Sequence, residues 1–226
     1  MFFEPGLYLF NKPLGWTSYD VVNWVKHRAE TFLDGANRAA KKVGHAGTLD
    51  PAAEGLLIVA VGREYTRDLE KLAGQEKEYI CEITFGIVTD TGDREGKILA
   101  QKPVNITKNQ LGAILPEFIG KQLQIPPMYS AVKVRGRKLY ELARQGITVE
   151  RQPKTIEIKE LELLGFSPPD KAKLRIVCSK GTYIRALCYN IGEKIGTGAY
   201  MSALCRTRIG NYVLDEKCLI PQGTRR

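Results

Sequence analysis

The strongest chemical feature of the chain is an aspartate locked against a proline inside a glycine-rich loop. Lys42 to Leu57 reads K-V-G-H-A-G-T-L-D-P-A-A-E-G-L-L, with His45, one of two histidines, five positions before Asp50. Pro51 biases Asp50 toward extended backbone, while Gly44, Gly47 and Gly55 permit positive φ or close chain approach. An apolar run, Leu56 to Val61, follows at once, so a stiff loop presents one carboxylate at the mouth of a buried strand. A carboxylate placed this way suits nucleophilic or proton-transfer chemistry. The same letters also suit a helix start, with Asp50 as N-cap and Pro51 in the first turn. Taken alone, the pattern favours the cap.

Arg185 breaks a local rule. Thr182 can cap the helix after it, which puts Arg185 in the first turn, where the helix dipole disfavours a cation. A buried anionic partner would compensate it; an exposed Arg reaching water would need none. Asp90, in Thr89-Asp90-Thr91-Gly92-Asp93, is either a member of such a network or a turn former. Tyr79 falls on the apolar face of its segment, where a core tyrosine is the plain reading. Lys12, Arg206 and Arg208 are phosphate contacts or supports. The five cysteines, at 81, 178, 188, 205 and 218, show no C-x-x-C and no grouping with His, which points to reduced, buried thiols and no metal site. No phosphate-binding glycine loop of the P-loop type is present, which agrees with chemistry that needs no cofactor.

The elements that must position these groups are strands and helices without a regular βαβ repeat, which predicts an α+β fold with a mixed, largely antiparallel sheet. Gly6–Phe10 is a short strand, and Thr17 or Ser18 caps a helix carrying Val21, Val22 and Val25. Residues 29–42 form a polar stretch read in part as an inserted surface loop. Leu56–Val61 is a central strand, and Tyr79, Cys81, Ile83 and Phe85 share one face of the next. Thr107–Phe118 and Lys138–Arg144 are helical, the latter closed by Gly146. Thr155–Leu163 alternates but skips between Ile158 and Leu161, the mark of a β-bulge. Ala172 to Cys178 alternates again, Ile184 to Ile195 has helical spacing, and Met201–Val213 is a strand.

The net charge of +9 and pI near 9.3 suit a polyanionic partner. Distribution says more: between Lys121 and Lys154 stand eight Lys or Arg against two Glu, with Tyr129 and Tyr140 among them. Cations near aromatic rings suit a nucleic-acid groove, although a solvated charged hairpin fits the count too. No apolar run is long enough for a membrane span and the N-terminus is unlike a signal peptide, so a cytoplasmic protein without membrane contact is expected.

Six segments, taken in order, resemble the TruB-type tRNA pseudouridine synthases. They are Lys12-Pro13-x-Gly15-x-Thr17-Ser18; G-H-A-G-T-L-D-P through Asp50; Tyr79 in E-Y-I-C-E-I-T-F-G; T-D-T-G-D; Pro126 to Gly146, similar to the family's RNA-gripping thumb (121–154); and S-K-G-T-Y-I-R with L-C-R-T-R-I-G. The resemblance implies one catalytic domain over 1–226 that isomerises uridine to pseudouridine in the T-arm loop of tRNA. It implies Asp50 as nucleophile, Arg185 as the ion pair orienting it, and Tyr79 stacked on the flipped base with its hydroxyl placed for proton transfer. Tyr183 and Leu204 would line the pocket, His45 would fill the gap left by the extruded base, and Asp90, Lys12 and Arg144 would assist binding. Glu54 departs from the family's usual small residue and adds charge four positions from Asp50. Only 16 residues follow Gly210, too few for the C-terminal RNA-binding domain many bacterial relatives carry. A monomer without guide RNA is expected; the alternative is a non-catalytic RNA-binding or tRNA-folding module.

Overall fold

The structure is a computed structural model and describes residues 2–30 and 42–222. In chain order the strands and helices are β1 (Gly6–Lys12), α1 (Ser18–Glu30), β2 (Val43–Ala46), β3 (Ala53–Val61), α2 (Arg63–Thr66), α3 (Leu69–Ala73), β4 (Lys77–Phe85) and the hairpin β5 (Ile87–Thr89) with β6 (Ile98–Gln101). Then come α4 (Lys108–Ile114), β7 (Gly120–Gln124), a second hairpin of β8 (Lys133–Val134) and β9 (Arg137–Lys138), α5 (Leu139–Arg144), β10 (Lys154–Ser167), β11 (Lys171–Cys178), α6 (Ile184–Ile195), β12 (Ala199–Ile209) and β13 (Tyr212–Val213). The class is α+β, with a mixed and mostly antiparallel main sheet. Most of the polar stretch read as an insertion lies outside the described residues. Among the described residues no helix is long and apolar enough to cross a membrane.

Two compact units divide the chain: residues 1–79 with 204–226, and residues 80–203. In the first, β1 and β2 both run antiparallel to β3, while β12 runs parallel to it, with Leu204 opposite Ala53 and Arg206 opposite Gly55. From Leu56 to Val61 β3 is apolar without interruption because both its faces are covered there. Leu57, Val59 and Val61 join Phe3, Phe10, Trp16 and the α1 residues Val21 and Val25 in one cluster; Leu56 and Ile58 join Ala46, Ile209 and the α3 residues Leu69 and Leu72 in another. A strand buried on both sides reads as a continuous hydrophobic run, and each such Leu or Ile contributes about 1.5–3 kcal/mol. Thr17 caps α1 reciprocally: its hydroxyl accepts from Asp20 N at 3.0 Å, and the Asp20 carboxylate accepts from Thr17 N at 2.7 Å.

In the second unit β10 pairs with β7 and β11, antiparallel throughout. The register shifts between Ile158 and Glu160, the bulge that the skipped alternation predicts. Thr107 caps α4 through a capping box with Gln110, and the helix gives way at Pro116 to a 3₁₀ turn over Leu115–Phe118. The predicted strand Met201–Val213 differs from what forms. β12 ends at Ile209, Gly210 turns at φ 53°, and β13 folds back on Arg208 and Ile209.

Candidate active site

No helix starts at Asp50, so the N-cap reading falls. Its carbonyl accepts from Ala53 N at 3.1 Å to close a turn, and β3 begins directly. The loop's backbone is tied on every side. Ser18 Oγ accepts from Leu49 N at 2.8 Å and donates to Leu49 O at 3.1 Å; Gly15 N donates to Pro51 O at 2.7 Å. Arg206, 1 % exposed, donates Nε to Leu56 O at 2.8 Å and its terminal nitrogens to Gly47 O at 3.0 Å and Thr48 O at 3.5 Å. Gly47 and Gly55 take φ of 83° and 105°, and a side chain on Gly55 would strike the Arg206 backbone. Asp50 itself is half-buried. The loop is thus held by its backbone, with Asp50 half-buried between Leu49 and Pro51.

Lys12 is a support. It is 0 % exposed, and its ammonium donates to Pro13 O at 2.9 Å and Trp16 O at 2.6 Å, which braces the segment that grips Leu49 and Pro51. Arg208 is tied to Glu76 at 2.9 Å. Leu204 is buried on β12 opposite Ala53, itself three residues beyond Asp50. Tyr79 is buried on β4, whose neighbour Glu78 accepts from the Thr207 hydroxyl of β12 at 2.8 Å. His45 is on β2 opposite Val59, and its imidazole pKa is pushed down by burial first and the Arg206 charge second. Glu54 points to solvent.

In the second unit, Tyr183 rather than Thr182 is the N-cap of α6; the Thr182 hydroxyl donates instead to Ser179 O at 3.0 Å. Arg185 does fall in the first turn. It is buried, with Nε 3.6 Å from the Asp93 carboxylate and its terminal nitrogens on Thr91 O at 2.7 Å and Tyr129 O at 2.8 Å. Asp93, not Asp90, makes this pair. Asp90 is exposed and accepts from Lys97 N at 2.8 Å, the turn-forming role. Asp93 is buried and further satisfied by the Thr91 hydroxyl at 2.6 Å and Glu95 N at 3.1 Å. These donors and the guanidinium satisfy the hydrogen-bonding capacity of the buried Asp93 carboxylate. Gln124 holds Tyr183, accepting from its N–H at 2.8 Å and donating to its carbonyl at 3.1 Å. Sequence reasoning missed these roles of Gln124, Asp93 and Ser18; the available signals were the second Asp of T-D-T-G-D and the Ser of Lys12-Pro13-x-Gly15-x-Thr17-Ser18.

The segment 126–154 of the same unit borders an open cavity of about 710 Å³ whose lining mixes Val132, Val134, Leu142 and Val149 with the cations Lys133, Arg135, Arg137 and Lys154. Arg135 heads its hairpin at φ 50°, followed by Gly136 at φ 82°. Arg144, at the end of α5, is exposed, its guanidinium 5.4 Å from the Tyr140 ring centre.

Residues 36–184 match the TruB family pseudouridylate synthase N-terminal domain, and residues 185–221 match the tRNA pseudouridylate synthase B C-terminal domain. The tRNA pseudouridine synthase B of Protochlamydia amoebophila is 48% identical over 214 residues, 95% of this chain and 77% of that protein. That of Parabacteroides distasonis is 47% identical over 215 residues, 94% and 88% of the two. Among solved structures, a Cbf5-Nop10-Gar1 complex contains a chain with TM-score 0.71 and 30% identity, over 95% of this chain and 52% of that one. This chain therefore spans about half the length of that solved relative. The fold and these matches define a pseudouridine synthase, an isomerase. Within that class, the chain belongs to the TruB family.

Proposed function

We propose that the chain isomerises uridine to pseudouridine in the T-arm loop of tRNA, in the cytoplasm and without a guide RNA, with Asp50 as the nucleophile. The glycosidic bond from the ribose C1′ to N1 breaks, the base turns, and a C1′–C5 bond forms. C5 then loses its proton and N1 gains one, so no atom is added or removed. Such a reaction needs an anion to stabilise or trap the ribose or base, a proton-transfer group, and a base taken out of its stack. Tyr79 and Arg185 belong to the same reaction by family resemblance, with Tyr183, Leu204 and His45 as substrate contacts.

One observation carries the reading: Asp50 is the half-buried carboxylate of a loop whose backbone is fixed at Gly47, Thr48, Leu49, Pro51 and Leu56. A backbone fixed that thoroughly around one acid supports this reading, because a reacting group needs a preorganised support. The test is incubation with unmodified tRNA, followed by derivatisation that marks pseudouridine, whose formation leaves the RNA mass unchanged. Mapped conversion of one T-loop uridine is expected. An RNA that binds and stays unconverted would leave only a binding module.

A further inference from the structure

Arg206 is a residue that neither the resemblance nor the chemistry of the reaction assigns a role. Its guanidinium is buried, and its acceptors are the carbonyls of Leu56, Gly47 and Thr48. Burying a cation against neutral acceptors is costly, because carbonyl dipoles return less than a carboxylate would. What the three acceptors share is their place in the chain. Gly47 and Thr48 precede Asp50, and Leu56 follows it. One planar group therefore ties the entry and the exit of the loop together, with Asp50 at its middle.

The neighbouring backbone makes the same point. Gly55 pairs with Lys12 on one side and approaches the Arg206 backbone on the other, where an added side chain would lie 2.8 Å from Arg206 N. Gly47 takes φ 83°, the left-handed turn that suits glycine, beside the Arg206 guanidinium and the Lys77 stem, which lie at ordinary contact distances of 3.6 Å and 3.5 Å from where a side chain would begin. The strand register carries Arg206 to the loop; Gly55 lets the two backbones approach, and Gly47 makes the turn whose carbonyl accepts from the guanidinium.

We infer that Arg206 is a positioning residue for Asp50, a two-point clamp across the ends of the loop that sets where the carboxylate stands. A lysine cannot replace it. The ammonium is a point donor on a flexible stem, whereas the guanidinium is a rigid fork that holds both ends at once. The inference rests on Asp50 being the nucleophile, and the test separates the two.

The experiment measures single-turnover rate and T-arm affinity for Arg206→Lys, Arg206→Gln and Asp50→Asn, each at a temperature well below its own melting point. For Arg206→Lys the rate should fall by about 100-fold, the cost of a misplaced reacting group. Affinity should hold within about twofold, because a clamp that never meets RNA adds uniform binding to neither state. Arg206→Gln, which can reach one end only, should lose at least as much rate with the same affinity. Ser18→Ala, which releases Leu49, should show the same split, and its effect should be less than additive with Arg206→Lys because both act through one loop. A folded Arg206→Lys enzyme at full rate beside an inactive Asp50→Asn overturns the clamp alone. An active Asp50→Asn overturns the nucleophile assignment instead. Affinity falling in step with rate would make Arg206 an RNA contact, and failure of both Arg206 variants to fold would make it purely structural; either result also overturns the proposal.

Discussion

Cations serve opposite purposes in the Asp50 loop and in the thumb. Around Asp50 the cationic side chains Lys12, Lys77 and Arg206 are buried and donate to main-chain carbonyls: Lys12 to Pro13 and Trp16, Lys77 to Ala73 and Gln75, Arg206 to Leu56, Gly47 and Thr48. In the thumb Lys133, Arg135, Arg137 and Arg144 are exposed on two-residue strands, their connecting turn and a six-residue helix. A buried cation on carbonyls rigidifies backbone, while an exposed one remains available to phosphate. The same residue types thus fix backbone in one region and stand in solvent in the other. Net charge counts both kinds together, so it overstates the charge this protein presents to solvent.

If that division holds, chemistry and binding separate by region, and the sharpest break is Asp50→Asn. The amide keeps shape but loses charge and nucleophilicity. Turnover should fall by more than about 1000-fold while T-arm affinity survives. Residual turnover within about tenfold of the parent in a quench assay would end the assignment of the reaction to this loop.

Tyr79→Phe should come next. The ring is buried on β4 and the substitution keeps its packing. Loss of the hydroxyl should slow turnover by about 100-fold or more, the usual contribution of a placed proton-transfer group, without weakening RNA binding. Tyr79→Ala should harm both. Normal turnover in the Phe variant would return Tyr79 to a packing residue.

The thumb should respond in affinity rather than in rate. Replacing Arg135, Arg137 and Lys138 with Ala should flatten the salt dependence of T-arm binding by about 0.7–0.9 in log–log slope for each phosphate no longer neutralised, with the modified uridine unchanged. Arg135 offers a finer cut. A non-glycine residue in the left-handed region costs about 1 kcal/mol, and Asn tolerates that region well. Arg135→Asn should therefore stabilise the hairpin while still lowering the salt slope. An unchanged slope in both variants would mean that the exposed cations of this segment do not grip RNA.

Much of this division was legible in the letters, and the failures have physical causes. The β3 run, the bulge after Ile158 and the α1 cap follow from local patterning, and the structure shows each. Asp50-Pro51 misleads because a cap and a turn share the same first residues; what decides is whether helix or strand follows, and β1 and β12 settle that by pairing with β3 from far away in sequence. Asp90 and Asp93 cannot be told apart by type, since both stand in one turn and only Asp93 is carried to Arg185. Lys12 and Arg206 read as phosphate contacts or supports, and nothing local decides between the two because nothing local announces a buried cation. Their carbonyl partners exist only once the loop has closed.

The smallest effect tests the electrostatics of the anchored region. His45 has its imidazole pKa lowered from 6.5 by burial and by the Arg206 charge. The folded protein therefore resists protonating it, while the unfolded chain takes up the proton near its ordinary pKa. As pH falls below 6.5 the unfolded state binds more protons than the folded state, and stability drops until the folded imidazole titrates as well. Above 6.5 the contribution is complete and flat. Urea midpoints measured at about pH 7.5 and about pH 5.5 should fall further for the parent than for His45→Asn, which cannot titrate. Carboxylates that weaken both proteins in acid cancel in this comparison. Arg206→Gln, where it folds, should sit between the two, because it removes the second cause and leaves burial in place. Equal losses for parent and His45→Asn would mean that His45 is solvated, and that the buried cations do not reach the residues beside Asp50.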